Sequence, residues 1–124
     1  TSRTPRWWNS VGIVRSKKLL NGARDQSCVN CGRSDGTVVS AHYTGLRSYQ
    51  LGKGRGIKPH DICCADLCYK CHSAFDENSS SLSDLKGDFP KRVDRSEQFL
   101  FNIMKTILRR IDQGILKIGD YSDD

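Results

Sequence analysis

The chain has 124 residues, which fits one domain with a core of modest size. Only 36% of the residues are hydrophobic, 27% are charged, and no apolar run is long enough for a membrane-spanning helix, so the composition argues against a membrane partner. The net charge of +6 is unevenly spread: residues 1–60 hold eleven Lys/Arg against two acids, and residues 61–124 hold nine against twelve. A basic half suits a polyanion such as nucleic acid, although a solvated surface would account for the same charge.

Residues 1–14 read as an irregular arm. The adjacent rings of Trp7 and Trp8 cannot share a face of a helix or strand, so they anchor the arm on the core or stack on a base. Residues 15–25, RSKKLLNGARD, read as a short helix with Leu19, Leu20 and Ala23 inward. The first Cys-x-x-Cys, Cys28 and Cys31, follows, with Gly32 placed for the tight turn of a metal knuckle. Thr37 to Tyr43, TVVSAHY, has strand composition and carries His42.

Residues 44–60 hold four glycines and the cations Arg47, Lys53, Arg55 and Lys58. Such a loop is expected to be mobile or functional, and its backbone and charges suit phosphate. It lacks the closing Lys-Ser/Thr of a P-loop. Asp61 to Leu67, DICCADL, reads as the returning strand, with Cys63 and Cys64 facing opposite sides and read as non-ligands, the rival being Cys64 in place of a knuckle cysteine. Cys68 and Cys71 form the second knuckle, which opens a helix from Tyr69 to about Asn78. A polar breaker, 79–83, precedes a final helix of about 94–113. Asp94 and Glu97 form a capping box for it, and Leu100, Ile103, Met104, Ile107, Leu108 and Ile111 recur at helical spacing as its inward stripe. Gly114 stops that helix, and residues 115–118 suggest a short strand.

Six cysteines would allow three disulfides in a secreted protein. The opening TSRTPRWWNS lacks the apolar stretch of a signal peptide, and paired C-x-x-C spacing points instead to reduced, metal-bound thiols in a cytoplasm. Cys28, Cys31, Cys68 and Cys71 can close a tetrahedral shell around a structural zinc ion. Two histidines then need another task. His72 directly follows Cys71, and on a helix it is turned roughly 100° from that ligand, which favours a second site.

The order knuckle, strand with His42, glycine-rich basic loop, Asp61, strand, knuckle, helix with His72 resembles the HNH endonuclease superfamily. It is most similar to small phage- and prophage-encoded HNH-like nucleases, which share the loop pattern G-x-G-x-K-P-x-D, here Gly54 to Asp61, and the helix start C-x-x-C-H-x-x-x-D, here Cys68 to Asp76. The resemblance covers roughly residues 16–78 and implies a small α+β fold. That fold is a zinc-stapled ββα-metal (treble-clef, His-Me finger) domain with flanking N- and C-terminal helices, one domain over 1–124. It implies DNA as partner, a bacterial host cytoplasm, and metal-dependent phosphodiester hydrolysis leaving 3′-hydroxyl and 5′-phosphate ends.

In that scheme His42 is the general base, a role suited to an imidazole near neutral pH. His72 holds a catalytic magnesium or manganese ion at the scissile phosphate. Asp61 orients His42, coordinates the ion, or does both, and Asp76, four residues after His72 on the same helix face, is a further ligand. Arg47, Lys53, Arg55, Lys58 and His60 are the candidate phosphate contacts, with His60 also a reserve ligand. One departure stands out: many HNH nucleases carry Asp immediately before the first histidine, and this chain has Ala41. The competing reading is a non-catalytic zinc module that binds DNA or a protein through the same scaffold. A C-x-x-C redox protein would leave the second knuckle and both histidines without a role.

Overall fold

Two short strands carry the rest of the molecule, and the register between them decides which residues meet. The computed structural model describes residues 12–75 and 89–119. Within them β1 (Val39–His42) and β2 (Cys64–Leu67) form an antiparallel pair, with Val39 opposite Leu67 and His42 opposite Cys64. Both are shorter than the sequence suggests. Asp61–Cys63 is a turn, closed by the Cys63 N–H donating to the His60 carbonyl at 2.8 Å.

A two-stranded ribbon is not stable alone, so its edges and faces must be covered. The outer edge of β2 is capped twice: the Asp66 N–H donates to Thr106 Oγ1 at 3.0 Å, and the Asp66 carbonyl accepts from Val29 N–H at 2.9 Å. Every residue of β2 is buried as a result. The covering helices are α1 (Lys17–Asn21), α2 (Tyr69–Phe75) and α3 (Phe89–Asp112). A 3-10 turn, Ser48–Leu51, lies in the glycine-rich segment. Phe99 of α3 meets Tyr43 edge-on at 5.3 Å and Phe75 at 5.2 Å. Burying each such ring contributes about 1.5–3 kcal/mol. The fold is therefore small α+β, with one antiparallel pair under a long helix. Among the described residues no helix is long and apolar enough to cross a membrane.

Several expectations are corrected. α1 is five residues long, capped by Ser16 Oγ accepting from Leu19 N–H, and residues 22–25 are turn. α3 begins at Phe89, five residues before Asp94, so Asp94 and Glu97 are exposed side chains on the helix rather than a cap. Its inward face is also rotated. Ile103 is buried, but Met104 is 57% and Leu108 64% exposed, while Ser96, Phe99, Asn102, Thr106 and Arg110 face inward.

The reason is Asp66, fully buried in β2. A buried carboxylate must be paired, and Arg110 Nη1 and Arg109 Nη1 donate to its Oδ2 at 2.9 and 3.1 Å, while Arg110 Nη2 donates to its Oδ1. Arg110 continues to the Leu19 carbonyl, Ser40 Oγ and Gln113 Oε1, which ties α1, β1 and α3 together. Gly114 does end the helix, at φ +77°. The N–H groups of Ile115 and Leu116 turn back to the Arg110 carbonyl at 3.0 and 3.1 Å, so residues 115–118 form no strand. Trp7, Trp8 and Asp76 lie outside the described residues.

Candidate metal centre and histidine cleft

The two knuckles converge because each sits at one end of the covered ribbon. Cys28 N–H donates to the Arg33 carbonyl and Gly32 N–H returns to the Cys28 carbonyl, both at 2.8 Å, with Gly32 at φ +80°. Cys68 directly follows β2, and its carbonyl accepts from His72 N–H at 2.8 Å in the first turn of α2. The four sulfurs of Cys28, Cys31, Cys68 and Cys71 all lie within 4.8 Å of one another, with Cys31 Sγ and Cys68 Sγ 3.6 Å apart. Four thiolates at about 2.3 Å from one tetrahedral zinc ion would sit about 3.8 Å apart, so the set fits such an ion.

The local electrostatics act on two of these thiols in opposite directions. Burial works against a Cys28 thiolate, but backbone N–H groups of Cys68, Cys31 and Asn30 overcome it and bring the group down to about 7. Burial and the neighbouring sulfurs together push the Cys71 thiol up to about 12. A bound dication relieves that crowding of sulfurs.

Outside the sulfurs, Asn30 Nδ2 donates to Cys71 Sγ at 3.3 Å. Its own oxygen accepts from Asn102 Nδ2 at 3.0 Å and Gln98 Nε2 at 3.3 Å, so α3 fixes the knuckle. Lys105 Nζ donates to the Val29 carbonyl at 2.7 Å and Arg109 to the Ser27 carbonyl at 2.8 Å. Cys64 is buried and, chiefly by burial, pushed up to about 12; neither it nor half-buried Cys63 belongs to the cluster.

The second centre is a cleft of about 450 Å³. His42 from the end of β1 and His72 from α2 both line it, together with Lys53, Lys58 and the side-chain-free Gly54 and Gly56. The glycine-rich segment is folded. Gly54 and Ile57 exchange two backbone bonds at 3.0 Å around Gly56 at φ +68°, which sets Lys53 and Lys58 on the two sides of a tight turn.

Asp61 stands behind the cleft. Its Oδ1 lies 2.8 Å from His42 Nε2 and accepts from Arg15 Nη1 at 3.3 Å, and its Oδ2 accepts from Ser16 N–H at 2.7 Å. Burial alone would raise the Asp61 carboxyl; the bonds from His42 and Ser16 and the charge of Arg15 more than offset it and hold it below the ordinary value. Because a carboxylate only accepts, His42 Nε2 must carry the proton, and the neutral ring then offers its lone pair at Nδ1. Both Asp61 oxygens are engaged and the residue does not line the cleft, so in this arrangement it orients His42.

The remaining candidates divide. Arg47 and Arg55 are exposed and do not line the cleft. His60 also lies off it, with Nδ1 accepting from Val14 N–H at 2.9 Å and the ring against Gly52. Its role in the fold is to dock the segment before α1.

That segment supplies residues the sequence reading did not single out. Arg15 donates to the carbonyls of Lys58 and Pro59, both at 2.7 Å, as well as to Asp61, so it holds the lysine turn and the His42 partner together. Nothing in the local sequence marks contacts 43 to 46 residues away. Asn30, by contrast, is a polar residue inside a knuckle spacer, and that position is a usable signal. In comparisons with protein-family models, curated proteins and solved structures, no match to the chain was found.

Proposed function

We propose that the chain is a metal-dependent DNA endonuclease of the HNH type, its ββα-metal core stapled by zinc in treble-clef fashion. The observation that carries this reading is the pairing of His42 with buried Asp61 at 2.8 Å, at the edge of a cleft that His72, Lys53 and Lys58 also line. Simple binding of a polyanion needs cations and does not need an oriented imidazole.

In the proposed reaction His42 Nδ1 takes a proton from the attacking water while Asp61 holds the ring and steadies the imidazolium that forms. Lys53 and Lys58 hold the phosphodiester and offset its charge. His72 would be the protein ligand for a magnesium or manganese ion, with Asp76, by its spacing in the sequence, as a second ligand. Such an ion supplies Lewis-acid stabilisation of the phosphate and of the departing 3′-oxygen.

Ala41 favours a second reading. It is 1% exposed and places a methyl group where many HNH nucleases have an acid, as a retired nuclease serving as a zinc-bound interaction module would. Cleavage of supercoiled plasmid and of circular single-stranded DNA, with magnesium, manganese or chelator and with His42→Ala alongside, separates the two. Metal-dependent cutting lost in the variant supports the nuclease. Retardation of DNA on a gel without cutting by either protein supports the module.

A further inference from the structure

Tyr49 has no part in the site described above, yet it is 72% exposed. The turn that carries it is firmly held. Ser48, its neighbour, is buried, with N–H on the Gly45 carbonyl at 3.2 Å and carbonyl accepting from Lys53 N–H at 3.1 Å. The buried Tyr43 hydroxyl accepts from Arg47 N–H at 3.1 Å and is itself bonded to Ser96 of α3. With both ends of the Ser48–Leu51 turn pinned and Ser48 facing in, the Tyr49 ring is displayed to solvent at little entropic cost.

Its neighbour in space gives the display a chemical meaning. Lys53 Nζ lies 5.6 Å from the centre of the Tyr49 ring, and Lys53 is one of the cations lining the histidine cleft. From residue 36 to residue 60 there is no acidic side chain, and Arg47, Lys53, Arg55 and Lys58 all fall in that stretch. An exposed aromatic face beside a phosphate-binding ammonium is the pairing that holds one unstacked nucleotide, base on ring and phosphate on cation. A base inside a duplex has no free face to offer it.

We propose that Tyr49 is a base-stacking residue and that it makes the cleft select a single-stranded DNA segment, such as a gap, flap or fork arm, next to the phosphate held at Lys53. That this phosphate is the one cut rests on the nuclease reading. The stacking contact does not.

The test is equilibrium binding without added magnesium or manganese, by fluorescence anisotropy. The probes are a labelled oligothymidylate and a fully paired duplex of the same length. Wild type, Tyr49→Ala, Tyr49→Phe and Lys53→Ala are compared, with thermal melts to verify folding. Wild type should prefer the single strand. Tyr49→Ala should lose about fivefold or more in single-strand affinity, the loss expected for one base–aromatic stack, with duplex binding unchanged. Tyr49→Phe should retain the affinity, and Lys53→Ala should weaken both probes.

Equal affinity of wild type for the two probes, an unaffected Tyr49→Ala, or equal losses on both probes would overturn the proposal. Plasmid cleavage is scored separately. A strand-selective loss in a protein that cuts nothing leaves the stacking site standing and removes the nuclease. Cutting with no strand-selective loss does the reverse.

Discussion

Asp61→Asn replaces one oxygen by an amide NH2 at a site where every neighbour is a donor. His42 Nε2, Ser16 N–H and Arg15 Nη1 all point at the carboxylate, at 2.8, 2.7 and 3.3 Å. If the amide oxygen faces His42, the NH2 opposes Ser16 N–H, and a partly buried donor loses its acceptor. If the oxygen faces Ser16, the NH2 opposes His42 Nε2, which must then become the acceptor and leave its proton on Nδ1. The ring can no longer act as base in that tautomer. The first orientation costs stability, about 1–3 kcal/mol for an unmet donor. The second costs rate, by as much as the 10²–10⁴-fold that a positioned general base contributes. In the second orientation the NH2 also opposes Arg15 Nη1, so the variant melts earlier in either case, and where the second prevails it also cuts about 10²-fold or more slowly, without loss of metal at the cysteines.

The assay is the initial rate of plasmid nicking for wild type, Asp61→Asn, His42→Ala and the double variant. If Asp61 acts through His42, the double variant cuts no more slowly than His42→Ala. A further loss as large as that of the single substitution would refute this reasoning and return Asp61 to the metal. The pH dependence follows from the same contacts. The folded carboxyl lies below its ordinary value, so its stabilisation is fully present above the ordinary carboxylate range and is lost as pH falls through the lowered folded value. The difference in melting temperature between wild type and Asp61→Asn should accordingly be largest near neutral pH and shrink under acid.

Cys68→Ser, or removal of bound metal by a strong chelator, should unfold the domain, because metal binding at four clustered sulfurs is coupled to folding. A folded, metal-free Cys68→Ser protein, by circular dichroism and metal analysis, would contradict the assignment. Asp66→Asn should destabilise by about 3–5 kcal/mol in denaturant melts, because it leaves Arg110, whose side chain is 3% exposed, without its counter-charge. Asp66→Leu combined with Arg110→Met should recover much of that loss. Gly45→Ala should cost about 1–3 kcal/mol in denaturant melts, because its new methyl group would collide with the Tyr43 hydroxyl and Ser96 Oγ.

What the sequence disclosed and what it hid divide along the reach of the interactions. The four-cysteine cluster was legible because a C-x-x-C pair closes on itself: Gly32 and the backbone bond to Cys28 are local. That His42 and His72 face one cleft follows from the order of the elements, since one ends a strand and the other lies on the short helix after the returning strand. The Arg15–Ser16 clamp on Asp61 was not, since it joins residues about 45 apart through the tertiary fold alone.

The orientation of α3 lies between these cases. Its apolar residues cover a wider arc than the buried face, so periodicity fixed the helix and left its rotation open. Two apolar arcs compete, one through Leu100, Ile103 and Ile107 and one through Phe101, Met104 and Leu108, and the second is solvent-exposed. The choice between them belongs to the polar residues. Ser96, Asn102, Thr106 and Arg110 turn inward because the Tyr43 hydroxyl, Asn30, the Asp66 N–H and the Asp66 carboxylate each need a partner there. Leaving all of these groups unmet, at about 1–3 kcal/mol each and more for the buried Asp66 carboxylate, would together cost more than burying Met104 and Leu108, at about 1.5–3 kcal/mol each, would gain. On such a helix the polar positions at helical spacing, read against an acid in the facing strand, carry more rotational information than the apolar ones.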